Sequence, residues 1–90
     1  MKGSIAANGE LFQYTVKKGP VKMSFSGTFG SGTIALTQKT AKANVALRDN
    51  GTAITITAAD DSEYRLYAGD TVIGTLSGAS GADIQWGISE

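Results

Sequence analysis

Residues 25–36 read Phe-Ser-Gly-Thr-Phe-Gly-Ser-Gly-Thr-Ile-Ala-Leu, three glycines within six positions. Within the stretch, Gly30-Ser-Gly-Thr-Ile-Ala35 matches the dinucleotide-binding pattern G-x-G-x-x-A. That pattern works only when its glycines lead into a helix whose N-terminus faces the pyrophosphate. Here Thr33-Ile-Ala-Leu-Thr37 follows, with Ile34 and Leu36 alternating as in a strand, and no segment of the chain reads as a crossover helix. A phosphate loop would require Gly-Lys-Ser/Thr, whereas Gly32 is followed by Thr33 and Ile34. The stretch therefore predicts a glycine corner between two strands, with Gly27, Gly30 and Gly32 allowing the backbone to reverse.

Period-two alternation extends outward from this corner in both directions. Upstream, Phe12, Tyr14 and Val16 share one face, as do Val21, Met23 and Phe25, with Gly19-Pro20 breaking the chain between them. Downstream, Val45 and Leu47 form the next inward pair, and Thr40 to Asn44 has room for one short helical turn. Asn50-Gly51 is a strong hairpin signal, because both residues tolerate the positive φ of a type I′ turn. Ile54 and Ile56 share a face in Thr52–Thr57, and Ala58–Ser62 reads as an acidic loop. Tyr64 and Leu66 point inward, Gly69-Asp70 turns the chain, and Thr71–Ser77 is a strand weakened or bulged at Gly74. Gly78–Gly81 is a turn, after which Ile84, Trp86 and Ile88 line one face of the last strand. About seven to eight short strands at this spacing predict an all-β protein: a single small antiparallel β-sandwich, jelly-roll or Ig-like. The 90 residues allow one domain, 1–90, with residues 1–9 as an N-terminal arm.

Composition limits the function classes. Cysteine and histidine are both absent, which removes disulfides, thiolate or imidazole metal sites and the usual general base. No apolar run approaches the length of a membrane span, and Met1–Ala7 lacks the apolar stretch of a signal peptide. Net charge is zero, but residues 1–48 carry +6 and residues 49–90 carry −6. The basic residues are scattered over strands and turns, so the asymmetry does not define a nucleic-acid surface.

No catalytic constellation emerges. There is no G-x-S-x-G elbow, and nothing fixes a pair of carboxylates across a cleft. Asp60-Asp61-Ser62-Glu63 offers oxygens to a calcium ion but lacks the alternating spacing that lets one loop wrap it. No catalytic residue, cofactor or metal site is assigned, and the chain is expected not to be an enzyme. Leu11, Phe29, Tyr67 and Ile73 fall on polar strand faces or in turns, where large apolar groups mark an interface. Ile5 belongs to an apolar patch in the N-terminal arm, suited to pairing with a neighbour's sheet edge. These five residues are the expected partner-binding set, with Phe29, which a turn does not require, read either as a plug into the core end or as the tip that touches a neighbour. Trp86 reads as core on its period with Ile84 and Ile88, and otherwise as a sugar-stacking residue.

Ser26-Gly-Thr-Phe-Gly-Ser-Gly-Thr-Ile-Ala-Leu36, Glu63-Tyr-Arg-Leu-Tyr-Ala-Gly69 and Leu76-Ser-Gly-Ala-Ser-Gly-Ala-Asp-Ile84 resemble segments of small tailed-bacteriophage structural proteins. The resemblance covers roughly residues 20–88 and rests mainly on turn glycines between strands. The tryptophan that many such proteins carry in a mid-chain hairpin has no counterpart in Lys42-Ala-Asn-Val-Ala-Leu47. The resemblance implies a β-sandwich virion structural protein, such as a capsid decoration (cement), head-fibre or neck protein, made in the host cytoplasm. It would bind the major capsid protein or other virion proteins as a homo-oligomer, without nucleic acid or membrane. The alternative expectation is a carbohydrate- or receptor-binding sandwich on a phage fibre or neck, with Tyr67, Phe29 and Trp86 as its only candidate aromatic platform.

Overall fold

The computed structural model describes residues 1–39, 44–46, 48–49, 52–64, 66 and 68–90. The elements are β1 (Lys2–Ile5), β2 (Gly9–Thr15), β3 (Val21–Thr28), β4 (Thr33–Lys39), β5 (Asn44–Ala46), β6 (Arg48–Asp49), β7 (Thr52–Ala53), β8 (Thr55–Ile56), β9 (Asp60–Tyr64), β10 (Thr71–Ser77) and β11 (Asp83–Ser89). No helix occurs among the described residues.

Two antiparallel sheets form a sandwich. Sheet A has the order β1-β11-β3-β9; sheet B has β2-β10-β4-β5, with β8 also paired to β4. Both β5 and β8 run antiparallel to β4, with Ala46 opposite Thr37 and Thr55 opposite Ala35. They therefore act as one interrupted edge strand, and the β6–β7 hairpin is inserted between its halves. Counting β5 and β8 as one gives eight main strands. In chain order these strands run 1-8-3-6 in sheet A and 2-7-4-5 in sheet B, which is jelly-roll connectivity. Of the two sandwich topologies that the alternation allows, the strand order selects this one.

The inward faces meet as the alternation requires. Val21, Met23 and Phe25 from β3 and Ile84, Trp86 and Ile88 from β11 face Phe12, Ile34, Leu36, Val72 and Leu76 from sheet B. The Phe12 ring crosses the gap between the sheets, 5.0 Å from Trp86 and 6.4 Å from Phe25, centroid to centroid. Gly74 is the residue directly opposite Phe12, and the β2–β10 register slips between Gly74 and Thr75. The weakening or bulge expected of β10 at Gly74 is found instead as a bulge of its partner strand, while β10 pairs without interruption along β4. The extra residue, Leu11, lies on β2, because Gly74 pairs with Phe12 and Thr75 with Glu10.

The quoted stretch is a corner between sheets, since β3 belongs to sheet A and β4 to sheet B. The amide of Gly32 donates to the carbonyl of Phe29 at 2.9 Å, and the two central residues, Gly30 and Ser31, have φ of 58° and 63°. Positive φ at both centres is the type I′ requirement. Of the three glycines, only Gly30 occupies a centre of this turn; Gly27 lies within β3, opposite Ile84. The corner is tied to the β10–β11 turn by the Ser80 amide donating to the Gly30 carbonyl at 2.9 Å. Asn8 holds the same turn from the other side: its Nδ2 donates to the Ala79 carbonyl and its Oδ1 accepts from the Ala79 amide.

Several expectations are corrected. Ala58–Ser62 is not wholly a loop, because Asp60–Tyr64 forms β9 along β3. An edge strand tolerates charges that a central strand would not, and the acidic residues lie on that edge. Val45, expected to be buried, is 49% exposed: it pairs with Gln38 at the edge of sheet B, on the same face as Ile34 and Leu36, where none of the described strands covers it. Thr52–Thr57 is divided between the hairpin and the edge strand. The N-terminal segment pairs with its own chain: β1 runs along β11, Lys2 opposite Gly87 and Ile5 opposite Ile84. Asn44 is in β5; the rest of the expected helical turn, 40–43, and Leu47 lie outside the described residues. Asp49 pairs with Thr52, so two residues, 50 and 51, connect the hairpin as expected, while their turn type lies outside the described residues.

Candidate functional site

The expected partner-binding residues do not converge on one patch. Phe29 is only 7% exposed and belongs to the core; of its two expected roles, core plug and interface tip, the corner gives it the first. Leu11, at the bulge on β2, and Ile5, on β1, are half-buried and pack against the core. Ile73 is 9% exposed and is not part of the sandwich core. It sits mid-strand in β10 between Gln13 and Thr37 of the flanking strands. Tyr67 lies outside the described residues. Trp86 is 8% exposed, between Phe12 and β1. Its indole passes so close to Gly3 that a Cβ there would sit 2.7 Å from Cζ2, so glycine at this position makes room for the ring.

What the fold leaves available is sheet edges and polar faces. At one side of the sandwich, β1 ends sheet A and β2 ends sheet B; at the other, β9 and the β5/β8 strand do so. The edges differ in chemistry. Asp60, Asp61 and Glu63 lie on β9, whereas the seven residues of β2 carry one charge, Glu10. Strand alternation sends Asp60 to the opposite face from Asp61 and Glu63, so the three carboxylates do not converge on an ion. Among the described residues, no group of three or more acidic side chains is placed to hold a metal. The outer face of sheet A bears a shallow open groove lined by Lys2, Lys22, Ser24, Asp61, Gly87 and Ser89. Lys22 and Asp61 pair across it at 3.4 Å, each more than half exposed.

The most specific polar constellation lies at the end of the sandwich where β2 turns toward β3. The consecutive amides of Lys17, Lys18 and Gly19 donate to the Glu90 carboxylate: Lys18 to Oε1 at 2.7 Å, Gly19 to Oε1 at 2.8 Å, and Lys17 to Oε2 at 3.0 Å. The Tyr14 hydroxyl donates to Oε2. The turn is held in shape by Val16, whose amide donates to the Asp70 carbonyl and whose carbonyl accepts from the Gly69 amide. Gly19 has φ of 72° and a Cβ there would meet the Leu66 carbonyl oxygen, so glycine permits the turn. The Tyr14 hydrogen bond, then the Gly19, Lys17 and Lys18 amides, hold the Glu90 carboxyl down at about 2. The same hydrogen bond raises Tyr14, because ionising the phenol would remove the donor beside a carboxylate. Sequence reasoning reads Gly19-Pro20 as a strand break and assigns nothing to Glu90. No local pattern links residues 17–19 with a residue 71 or more positions away.

Comparison with known protein families, with curated proteins and with solved structures finds no match to this chain.

Proposed function

We propose that this chain is a non-enzymatic bacteriophage virion structural protein, a capsid decoration protein that binds the head lattice as a homo-oligomer. The observation that carries the reading is the β2 edge. It is seven residues long, is bonded among the described residues to β10 on one side only, and bears a single charge. An edge of that length offers a row of unpaired main-chain groups to another strand, whereas the acidic β9 edge repels one. Jelly rolls are also widely used in capsid proteins, which supports the reading by analogy of fold alone. Many identical weak contacts to a repeating lattice add up to firm attachment. The major capsid protein is the partner proposed, and the virion the place of action.

The alternative, a sugar- or receptor-binding module, has less support, because Phe29 and Trp86 are buried and leave only Tyr67 of its platform.

Size-exclusion chromatography with mass measurement, of the protein alone and mixed with phage heads lacking a decoration protein, tests the proposal. An oligomer that co-elutes with heads is expected. Replacing the exposed Gln13 and Thr15 by lysine places charges on the β2 edge and is expected to dissociate the oligomer while leaving the circular dichroism spectrum unchanged. A strict monomer that binds no particle refutes the reading.

A further inference from the structure

We propose that the Lys17–Gly19 turn and the Tyr14 hydroxyl form a carboxylate-binding socket, which this chain fills with its own Glu90 and which accepts an acidic side chain of another protein when Glu90 is withdrawn. Four donors converge there: three successive backbone amides and one phenol. Successive amides bent around a positive-φ residue make an anion-binding concavity. The concavity does not depend on Glu90, since β2, the Val16–Gly69 and Val16–Asp70 backbone bonds and the left-handed Gly19 fix its shape.

The division of donors selects a carboxylate. Oε1 takes the Lys18 and Gly19 amides, Oε2 takes the Tyr14 hydroxyl, and the Lys17 amide is shared between them, 3.0 Å from Oε2 and 3.2 Å from Oε1. Two oxygens on one plane use all four donors, and no acceptor in the constellation competes with them. The Lys17 and Lys18 side chains are exposed beside the turn. Glu90 is itself exposed, following β11 with no further strand across it. Solvent therefore reaches the socket, and the intramolecular carboxylate and an external one compete for the same donors. The external affinity is reduced by the fraction of time the socket is already filled.

The test uses the full chain carrying Glu90→Ala, labelled with ¹⁵N and titrated with sodium acetate at pH 7 against sodium chloride of equal ionic strength. The Lys17, Lys18 and Gly19 amide resonances are expected to shift and saturate with acetate in E90A and to remain unmoved in wild type. Adding Tyr14→Phe to E90A removes one donor and is expected to weaken acetate roughly threefold to tenfold. If E90A does not fold, Glu90→Gln serves in its place, keeping the side-chain size while removing the charge. Equal shifts with chloride, shifts that do not saturate, or phosphate binding more tightly than acetate would each overturn the proposal.

Discussion

Gly74→Ala tests the core geometry most sharply. A Cβ built on Gly74 falls 2.7 Å from Cε2 and 2.8 Å from Cζ of Phe12, where ordinary contact begins near 3.4 Å. The ring must retreat by about 1 Å. It is held from behind by Trp86 at 5.0 Å and Phe25 at 6.4 Å, and these rings belong to the facing sheet. Overpacking of a filled core costs about 1–3 kcal/mol. The backbone at Gly74 is not in the left-handed region, so alanine adds no strain there and recovers about 0.4–1 kcal/mol from the unfolded chain. The net expectation is a loss of about 1–2 kcal/mol, lowering Tm by roughly 5–15 °C in a domain of this size. Thermal unfolding followed by circular dichroism reads this directly. The decisive variant is the pair Gly74→Ala with Phe12→Leu. The smaller side chain leaves room for the new methyl, so the double mutant is expected to be more stable than the sum of the singles by at least about 0.5 kcal/mol. Strict additivity, or a G74A protein as stable as wild type, refutes the claim that the Phe12 ring is pinned over Gly74.

Gly27→Ala should be worse, by about 3 kcal/mol or more, because φ is 103° and the new methyl would meet the Asp83 carbonyl oxygen of the neighbouring strand, which cannot swing away; urea unfolding measures it. Glu90 has a folded pKa depressed to about 2 from 4.5, so its contribution is complete above the ordinary value and lost as pH falls toward 2. The stability gap between wild type and E90A in urea unfolding should therefore be widest at neutral pH and close between about pH 4.5 and 2; a gap that persists at pH 2 contradicts the assigned carboxylate contacts. Lys22 and Asp61 are both more than half exposed, so a double-mutant cycle on this pair should give a coupling of about 0–1 kcal/mol that fades in high salt.

The interior was legible because alternation and burial agree there. Val21, Met23 and Phe25, and likewise Ile84, Trp86 and Ile88, are spaced two apart and all reach the core. The irregularity at Gly74 and the two-residue spacing at 50–51 are written in local residue chemistry, so a one-dimensional reading finds them. The edges were harder. β9 has polar residues on both faces and thus no apolar period; it is a strand because β3 offers a free ladder, which is a tertiary fact. Val45 obeys the period yet has no facing sheet to bury it. Phe29 could be read from sequence as core plug or as interface tip, and the corner between sheets decides it by carrying the residue back over the core. The Glu90 socket was invisible because its donors and acceptor meet only once the sandwich has closed.

The charge pattern shows what the connectivity adds. Charges of +6 over residues 1–48 and −6 over residues 49–90 suggest a molecule with two poles. The jelly roll pairs strands from early in the chain with strands from late in it: β1 with β11 and β3 with β9. Sheet A thereby runs Lys2, Asp83, Lys22 and then Asp60, Asp61 and Glu63, alternating in sign from strand to strand. In the native register Lys22 meets opposite charge, lying opposite Glu63 and 3.4 Å from Asp61, whereas Asp83 lies opposite Thr28, at the far end of β11 from Gly87 and Ser89, the partners of Lys2 and Lys22. The halves are unequal in charge, and the fold interleaves them. At the acidic end of that series, β9 carries three carboxylates and has no further neighbour among the described strands, a charged edge of the kind that disfavours pairing with another strand. Association through β2 would therefore extend sheet B and leave the acidic border of sheet A free.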